Sequence, residues 1–324
     1  MTVLCRSRDC HVTVVSPFSR MALRAAPGGG SIHGPRVTMR ASDMTTAETD
    51  ISRWIVQRVE AGDSPDVLLD SMVSHGWSRD LASTTLHDTL QRHIEQVSRE
   101  QGLPLPVKVP NPVEWNGAGI IQLPDREVQV LANMLLPRVV VLGNLLSPEE
   151  CDALIEMARA KLAPSMTLNL DTGTDEPNAA RTSRGTYFYR GRDPLCDRID
   201  ARLSALLDWP VEHGEGLQVL HYGPGAEYKP HYDYFDPSRP GAGDTLNRGG
   251  QRVASVVMYL NTPEAGGSTS FPDVHFEVAA IKGNAVFFSY DRAHPMTKSL
   301  HGGSPVKAGE KWVATKWLRE SVHV

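Results

Sequence analysis

Apolar residues recur at helical spacing between residues 45 and 102. The first helix is predicted from positions i, i+3, i+4 and i+8, which are Ile51, Trp54, Ile55 and Val59. Gly62 ends that pattern, while Ser64-Pro65 and Ser78 are start signals for two further helices. We therefore predict a small helical module over residues 45–102, and its histidines share no metal-ligand spacing with a Cys or acidic partner.

Prolines interrupt the pattern directly after this module, and short strands follow. The prolines are Pro104, Pro106, Pro110 and Pro112, which predict a stiff, extended linker over residues 103–113. Apolar runs separated by Gly, Pro, Asn and Asp then predict strands at residues 217–222, 252–260, 274–279, 285–290 and 312–318. Helix starts are marked at Ser147-Pro148 and Asp193-Pro194. Residues 114–324 are therefore predicted to form a mainly β domain with flanking helices (α+β), an antiparallel sandwich or jelly roll.

Charge and cysteine usage narrow the class of protein. The chain of 324 residues has 33 Lys+Arg against 38 Asp+Glu, a formal net charge of −5, which argues against a nucleic-acid partner. No apolar run approaches the roughly 18 residues that a membrane helix needs. Four cysteines cannot form the disulfide framework of a small secreted domain, so we predict a reducing, cytoplasmic location.

Residues 1–44 differ in composition from the rest. Residues 1–42 contain six arginines, no lysine and a single acid, Asp9. An Arg-rich, acid-poor start is typical of an organelle transit peptide. We favour two other interpretations, a disordered extension or a mis-chosen start codon with the true start at Met39 or Met44.

The residues that suggest chemistry are concentrated near the carboxyl end. His231-Tyr232-Asp233 places an imidazole and a carboxylate two residues apart, and on a strand such side chains share a face. His301 is a candidate third ligand. Two imidazoles and one carboxylate suit Fe(II) with three positions left open, whereas structural zinc sites are closed and rich in cysteine.

Lys311, ten residues after His301 and in the following strand, makes this ligand set more specific. A His-x-Asp pair alone arises readily by chance in a chain with twelve histidines. An anionic co-substrate that chelates iron through a 2-oxo acid group has a second carboxylate that needs a cation. The placement of Lys311 after the distal histidine fits that requirement.

With these residues in place, the sequence resembles the prolyl 4-hydroxylase family of 2-oxoglutarate- and Fe(II)-dependent dioxygenases, of the bacterial type similar to the prolyl 4-hydroxylase α-subunit catalytic domain. The resemblance extends over about residues 181–320. It is carried by RTS (181–183), LQVLHYGPGAEYKPHYDYF, GGSTSFP (266–272), GNAVFF (283–288) and SLHGGSPVKAGEKWVATKWLRE. It implies a double-stranded β-helix, or jelly roll, as the catalytic domain. One departure is Ser304, where the family often has a cysteine.

The resemblance also implies roles for individual residues. Iron would bind His231, Asp233 and His301, and Lys311 would hold the distal carboxylate of 2-oxoglutarate. Tyr222 and Thr269 match positions that hydrogen-bond that carboxylate, and Arg181 matches a substrate-channel arginine. Fe(II), 2-oxoglutarate, O2 and L-ascorbate are the implied cofactors and co-substrates.

The leading hypothesis is a dioxygenase that hydroxylates peptidyl proline at C4, with a proline-containing peptide or protein as its partner. Two alternatives stay open. One is a hydroxylase of a free amino acid or small natural product on the same scaffold, and the other is a non-catalytic jelly-roll binding protein. The Gly- and Pro-rich stretch from Asp236 to Gly250 is predicted to be a mobile loop that acts as a substrate lid.

Overall fold

The computed structural model describes residues 41–115, 117–169, 174–177 and 180–324, without the side chains of residues 41–49, 167–169 and 175–177. The predicted amino-terminal extension lies outside the described residues as far as residue 40. The chain divides into two compact units, with the boundary between Leu105 and Pro106. That boundary falls inside the stretch predicted to be a linker.

From residue 41 onward, the first unit contains three helices, α1 (Ala41–Glu60), α2 (Pro65–Ser74) and α3 (Arg79–Glu100). The hydroxyls of Ser64 and Ser78 accept hydrogen bonds from backbone N–H groups in the first turns of α2 and α3, as the cap signals predict. Apolar side chains from all three helices form one buried cluster, which contains Ile55, Val59, Leu68, Leu69, Met72, Ala82, Leu86 and Leu90. The unit therefore has its own hydrophobic core.

In its described residues, the second unit contains three α-helices and seventeen strands. The helices are α4 (Pro148–Arg159), α5 (Pro194–Leu207) and α6 (Ala242–Asn247). The strands are β1 (Ile120–Gln122), β2 (Glu127–Met134), β3 (Arg138–Gly143), β4 (Ala163–Pro164), β5 (Met166–Asn169), β6 (Thr174–Pro177), β7 (Arg184–Phe188), β8 (Leu217–Tyr222), β9 (Tyr228–His231), β10 (Arg252–Tyr259), β11 (Ala265–Gly266), β12 (Thr269–Phe271), β13 (Phe276–Val278), β14 (Ala285–Ser289), β15 (His301–Gly303), β16 (Val306–Ala308) and β17 (Lys311–Arg319).

Two facing sheets make the second unit a sandwich. The larger sheet has the order β1-β2-β3-β14-β10-β17-β8-β7-β4, and the smaller one has the order β13-β12-β15-β9. Neighbouring strands pair antiparallel, as in β17 with β8 and in β15 with β9. A buried cluster joins the facing sides of the two sheets, with Leu220, Phe288 and Val313 from the larger sheet and Phe271 and Val278 from the smaller. The predicted fold class, a jelly roll preceded by helices, is confirmed.

A second cluster covers the opposite face of the larger sheet. Side chains such as Leu154 of α4 and Ile199 of α5 pack there against Val219, Val256 and Trp312 of the sheet. Alternate residues of one strand therefore face two different environments, because successive side chains of a strand point to opposite sides. One side is a helix-covered core, and the other is the interior of the sandwich.

The stretch predicted as a mobile lid contains the short helix α6, and side chains outside the stretch hold both this helix and the two ends. The side-chain amide group of Gln251 bonds both the N–H and the C=O of Phe235, at 2.6 and 2.7 Å. The guanidinium of Arg319 donates to the carbonyls of Thr245 and Gly250, at 2.5 and 2.7 Å. These contacts anchor the segment beside the sandwich.

Candidate active site

The three predicted ligand residues converge inside the sandwich. His231 and His301 are register partners on β9 and β15. Asp233 follows in a bend, because β9 ends at His231; the expectation that both residues of His-x-Asp lie on a strand is therefore wrong. One ligand atom from each of the three residues lies within 4.8 Å of the other two. The Asp233 carboxylate is 3.5 Å from Nε2 of His231 and 3.4 Å from Nε2 of His301.

Backbone carbonyls orient both imidazoles toward this point. Nδ1 of His231 is 2.9 Å from the carbonyl of Lys229, and Nδ1 of His301 is 2.9 Å from the carbonyl of Ser299. A ring nitrogen that faces a carbonyl carries the proton, which assigns the lone pair of each ring to Nε2. The ring of Tyr228 stacks on His231 with 3.6 Å between centroids. Both imidazoles are therefore fixed with their donor atoms turned inward.

The charge states of these groups suit a divalent metal. Burial opposes ionisation of Asp233, but His301, His231 and Arg252 together hold the pKa of its carboxyl well below the ordinary value. Burial lowers the pKa of His301 to about 4, against the attraction of Asp233. The Ser255 hydroxyl donates to the carboxylate at 2.5 Å. At neutral pH the site thus presents an anionic carboxylate beside a neutral His301 imidazole.

Lys311 is the first residue of β17 and lies in the same pocket as the ligand set. It is 4 % exposed, and burial lowers the pKa of its ammonium to about 8. In the described part of the chain no carboxylate lies within ion-pair distance of it. Its Nζ lies 5.6 Å from the ring centroid of Tyr222 and 5.8 Å from that of Tyr259. This is a buried cation that can accept the carboxylate of a ligand.

Tyr222 and Thr269 also line the pocket. Tyr222 is the register partner of Lys311 on β8. The Thr269 hydroxyl accepts a hydrogen bond from the Tyr259 hydroxyl at 2.8 Å, which leaves its own proton available to a ligand. Both residues therefore lie in the same pocket as the Lys311 ammonium and can contact a carboxylate bound to it.

Arg181 and Trp317 form other parts of the pocket wall. The Arg181 guanidinium donates to Gln218 at 2.9 Å and lies 4.9 Å from the Tyr228 ring centroid. Trp317 is 6 % exposed, and the Arg252 guanidinium lies 4.0 Å from its ring centroid. Through its contact with the Tyr228 ring, Arg181 supports the residue that stacks on His231.

Two other histidines near these motifs are outside the ligand set, as the sequence suggests. Nε2 of His221 lies 2.8 Å from Oε2 of Glu310. Nδ1 of His294 accepts a hydrogen bond from the backbone of Met296, where a short helical turn begins. Both side chains have structural partners.

Sequence reasoning missed four residues that build the site. They are Tyr228, Ser255, Tyr259 and Trp317. Ser255 carries a recognisable signal, because it is a polar residue inside the apolar run of β10. The aromatic residues carry none, because a buried aromatic in a strand is ordinarily a core residue.

Comparison with known proteins decides the family. Residues 217–319 match the 2OG-Fe(II) oxygenase superfamily. The chain is 38 % identical over 205 residues to probable prolyl 4-hydroxylase 3 of Arabidopsis thaliana, covering 56 % of this chain and 69 % of that protein. It is 40 % identical over 205 residues to prolyl 4-hydroxylase 5 of the same plant, covering 56 % and 68 %. This chain belongs to the prolyl 4-hydroxylase family.

Membership in the prolyl 4-hydroxylase family confirms the predicted enzyme class, a 2-oxoglutarate-dependent dioxygenase that requires Fe(II), 2-oxoglutarate and O2. Among solved structures, the chain is similar to a viral collagen prolyl hydroxylase from Paramecium Bursaria Chlorella virus-1. The sequence identity is 32 %, the TM-score is 0.43, and the match covers 56 % of this chain and 95 % of that one. A prolyl-4-hydroxylase of Pseudomonas putida matches with 21 % identity and a TM-score of 0.39, covering 56 % and 91 %.

Proposed function

We propose that this prolyl 4-hydroxylase family member hydroxylates peptidyl proline at C4. Iron is held by His231, Asp233 and His301, and 2-oxoglutarate by Lys311. The observation that carries the proposal is one pocket that contains both a preformed three-ligand cluster and a buried ammonium without a carboxylate partner among the described residues. Neither feature stabilises the fold by itself, because each brings polar groups together in the interior.

The donor set fits Fe(II). Two imidazole Nε2 atoms and one carboxylate oxygen form a facial set that leaves three coordination positions open. The carbonyls behind both Nδ1 atoms and the Ser255 hydroxyl behind the carboxylate fix the direction of each donor atom. These contacts support the assignment of all three residues as ligands.

Lys311, Tyr222 and Thr269 are suited to bind the far carboxylate of 2-oxoglutarate. A charge-assisted hydrogen bond from Lys311 is worth about 1.5–3 kcal/mol. The Thr269 hydroxyl has a donor direction to spare because Tyr259 donates to it. The co-substrate would thus supply the counter-charge that Lys311 lacks.

Iron and 2-oxoglutarate together supply the oxidation, in which O2 and 2-oxoglutarate yield succinate, CO2 and one oxygen atom inserted into a C–H bond. The chain supplies position and a dry environment. His301 remains a neutral donor, Asp233 remains ionised, and the aromatic rings of Tyr228 and Trp317 form part of the pocket wall. L-ascorbate as the reductant that restores oxidised iron stays a prediction.

Within the described pocket wall, the charges favour a peptidyl substrate over a free amino acid. Asp233 is the single acid among those lining residues, and it belongs to the ligand set. The ammonium group of a free amino acid would therefore meet no counter-charge there, whereas a peptide has no such group. The relatives are named prolyl 4-hydroxylases, and a prolyl hydroxylase from Trichoplax adhaerens has been solved with a peptide fragment of hypoxia inducible factor.

The proposal is tested by the ligand residues and by the product. His231→Ala and His301→Ala are expected to abolish oxygen-dependent succinate formation, while the fold stays intact. His294→Asn, which alters a histidine outside the ligand set and keeps its capping ability, is the control. Near wild-type 2-oxoglutarate turnover in either alanine variant would refute the ligand assignment.

Substrate class is tested separately with blocked proline-containing peptides and free L-proline, by following succinate and product mass. We expect a peptide heavier by one oxygen atom. Faster coupled turnover of free L-proline would favour the small-molecule hydroxylase. Absence of succinate formation with iron and 2-oxoglutarate present would favour the non-catalytic binding protein.

In the part of the chain that the structure describes, no helix is long and apolar enough to cross a membrane. A cytoplasmic location and the absence of a nucleic-acid partner stay predictions. Cys151 and Cys196 are both buried and free, which fits a reducing compartment.

A further inference from the structure

A buried phenol that the proposed chemistry does not use lies behind the ligand set. Tyr290 directly follows β14 and is 2 % exposed. Its hydroxyl oxygen is 3.0 Å from that of Ser255, which in turn is 2.5 Å from Oδ2 of Asp233. In the described residues, Ser255 is the hydrogen-bond partner of the phenol. The three side chains thus form a hydrogen-bond relay that ends on a metal ligand.

The pairing of β14 with β10 holds this relay in place. Ser255 pairs with Phe288, and the backbone N–H of Tyr290 donates to the carbonyl of Val253 at 3.0 Å. Since alternate residues of a strand share a face, Phe288 and Tyr290 both point into the sandwich. The ring centroid of Phe288 lies 4.4 Å from that of His301. Strand β14 therefore supports the ligand set twice, directly at the histidine and through the serine hydroxyl at the carboxylate.

The charge of Asp233 decides the direction of both hydrogen bonds. An ionised carboxylate can only accept, so the Ser255 proton must lie in the 2.5 Å contact. That separation is typical of a hydroxyl that donates to a carboxylate. With its one proton used there, Ser255 can only accept from Tyr290, and the phenol is the donor. Burial raises the pKa of Tyr290 well above the ordinary value, which keeps this proton on the phenol.

The phenol donor removes the other orientation that the serine hydroxyl could adopt. If the Ser255 proton pointed to Tyr290, two oxygen atoms without a hydrogen between them would face each other across 2.5 Å at Asp233. Hydrogen bonds in such a chain also polarise one another in the low dielectric of the interior. Tyr290 therefore strengthens the bond that fixes the carboxylate.

We propose that Tyr290 is a positioning residue for the metal: through Ser255 it fixes the Asp233 carboxylate and increases the affinity of the site for a divalent ion. This inference rests on the ligand assignment of the proposed function, and it holds whichever substrate is hydroxylated. Tyr290 touches neither the metal nor a substrate, so its effect passes through the serine hydroxyl.

The test measures metal binding by the full chain with Co(II) as the probe, so that neither O2 nor a substrate is needed. Competition with a chelator gives the dissociation constant, and the visible absorption band of Co(II) reports the geometry of its ligands. Ser255→Ala should raise the dissociation constant about 10- to 100-fold, the usual effect of removing a partner of a metal ligand. Tyr290→Phe should raise it about 2- to 10-fold, because one neutral hydrogen bond is lost. Both variants should alter the absorption band.

A double variant and two matched controls assign the effect to the relay. Because Tyr290 acts through Ser255, Ser255→Ala/Tyr290→Phe should bind Co(II) no more weakly than Ser255→Ala alone. Ser289→Ala removes a buried hydroxyl of β14 that has no hydrogen-bond partner in the described residues. Tyr234→Phe alters a phenol whose ring centroid lies 6.1 Å from that of Tyr290. Both controls should retain the wild-type dissociation constant.

The outcomes separate this inference from the proposed function on which it rests. A wild-type dissociation constant in Tyr290→Phe or in Ser255→Ala would overturn the positioning role, as would losses that add in the double variant. Equal Co(II) binding by the wild type and His231→Ala would instead refute the ligand assignment.

Discussion

Two lysines on strand β17 are almost equally buried, but their ammonium groups meet different surroundings. Lys316 faces the helix-covered core, where its Nζ lies 2.7 Å from Oδ1 of Asp200 on α5. Lys311 faces the interior of the sandwich and has no carboxylate within ion-pair distance in the described residues. The exposed fractions of the two lysines are 2 % and 4 %. One charge is compensated inside the fold, and the other is left for a ligand.

The pKa values follow from this difference. Burial lowers the pKa of Lys316, and Asp200 opposes the shift. Burial alone lowers the pKa of Lys311, from 10.5 to about 8. A shift of that size corresponds to roughly 3 kcal/mol of unfavourable folding free energy at neutral pH. An ion pair and an uncompensated charge can thus lie on opposite faces of one strand. The uncompensated charge identifies the binding site.

The largest expected effect is on stability, and its sign should differ between the two lysines. Lys316→Met leaves Asp200 buried and unpaired, which should lower the free energy of unfolding by about 3–5 kcal/mol. Lys311→Met removes an uncompensated charge, which should raise the free energy of unfolding by as much as about 3 kcal/mol. Urea unfolding at pH 7, without 2-oxoglutarate, measures both.

The pH dependence of stability and a double variant test whether charge compensation causes the difference between the two lysines. The folded-state pKa of Lys311 is below the unfolded value, so its penalty is fully present below pH 8 and disappears as pH rises toward 10.5. The stability gain of Lys311→Met should shrink in that window. In Lys316→Met/Asp200→Leu both charges are absent, and most of the lost stability should return. If Lys311→Met is as destabilising as Lys316→Met, the contrast between the two lysines is wrong.

The second effect concerns binding of the co-substrate. Lys311→Met should raise the KM for 2-oxoglutarate roughly 10- to 150-fold, because a charge-assisted hydrogen bond of about 1.5–3 kcal/mol is lost. Lys316→Met/Asp200→Leu serves as the control and should retain the wild-type KM. An unchanged KM in Lys311→Met would remove Lys311 from the site, whatever its effect on stability.

Sequence reasoning recognised only one of these lysines. Lys311 could be predicted because it lies close to His301 in the sequence. The helix caps at Ser147 and Asp193 could be predicted for the same reason, since each depends on neighbouring residues. The partner of Lys316 comes from a distant helix, and no local pattern encodes that pairing. The position of Asp233 beyond the end of β9 was missed for a similar reason, since sheet pairing and not the residue pattern decides where a strand ends.

Whole strands were missed where burial is uneven. Strand β2 pairs with β3, yet most of its side chains are exposed, so its apolar pattern is weak. By contrast β8 has the predicted bounds, residues 217–222, because nearly all of its side chains are buried. Sequence patterns therefore predict the buried strands of the sandwich better than its partly exposed strands.

A smaller effect is expected from pH on co-substrate binding. The protonated Lys311 binds a carboxylate, and its pKa near 8 means that the cation is depleted as pH rises from 7 to 9. The KM for 2-oxoglutarate should therefore rise about tenfold over that range. Lys311→Arg, whose guanidinium stays charged, should give a flatter profile even if its KM is higher throughout. A flat wild-type profile would show that the ammonium keeps its proton.

The smallest effect is expected from removal of the helical unit. Both lysines, Asp200 and the three ligand residues belong to the unit that begins at Pro106, whereas α1, α2 and α3 bury their apolar residues in a core of their own. A chain of residues 103–324 should therefore keep the KM for 2-oxoglutarate and the opposite stability effects of Lys311→Met and Lys316→Met. It should also couple 2-oxoglutarate turnover to hydroxylation of a short peptide. A folded truncated chain that loses all coupled turnover would show that the helical unit helps to build the site. The difference between the two faces of β17 would then be insufficient to explain activity.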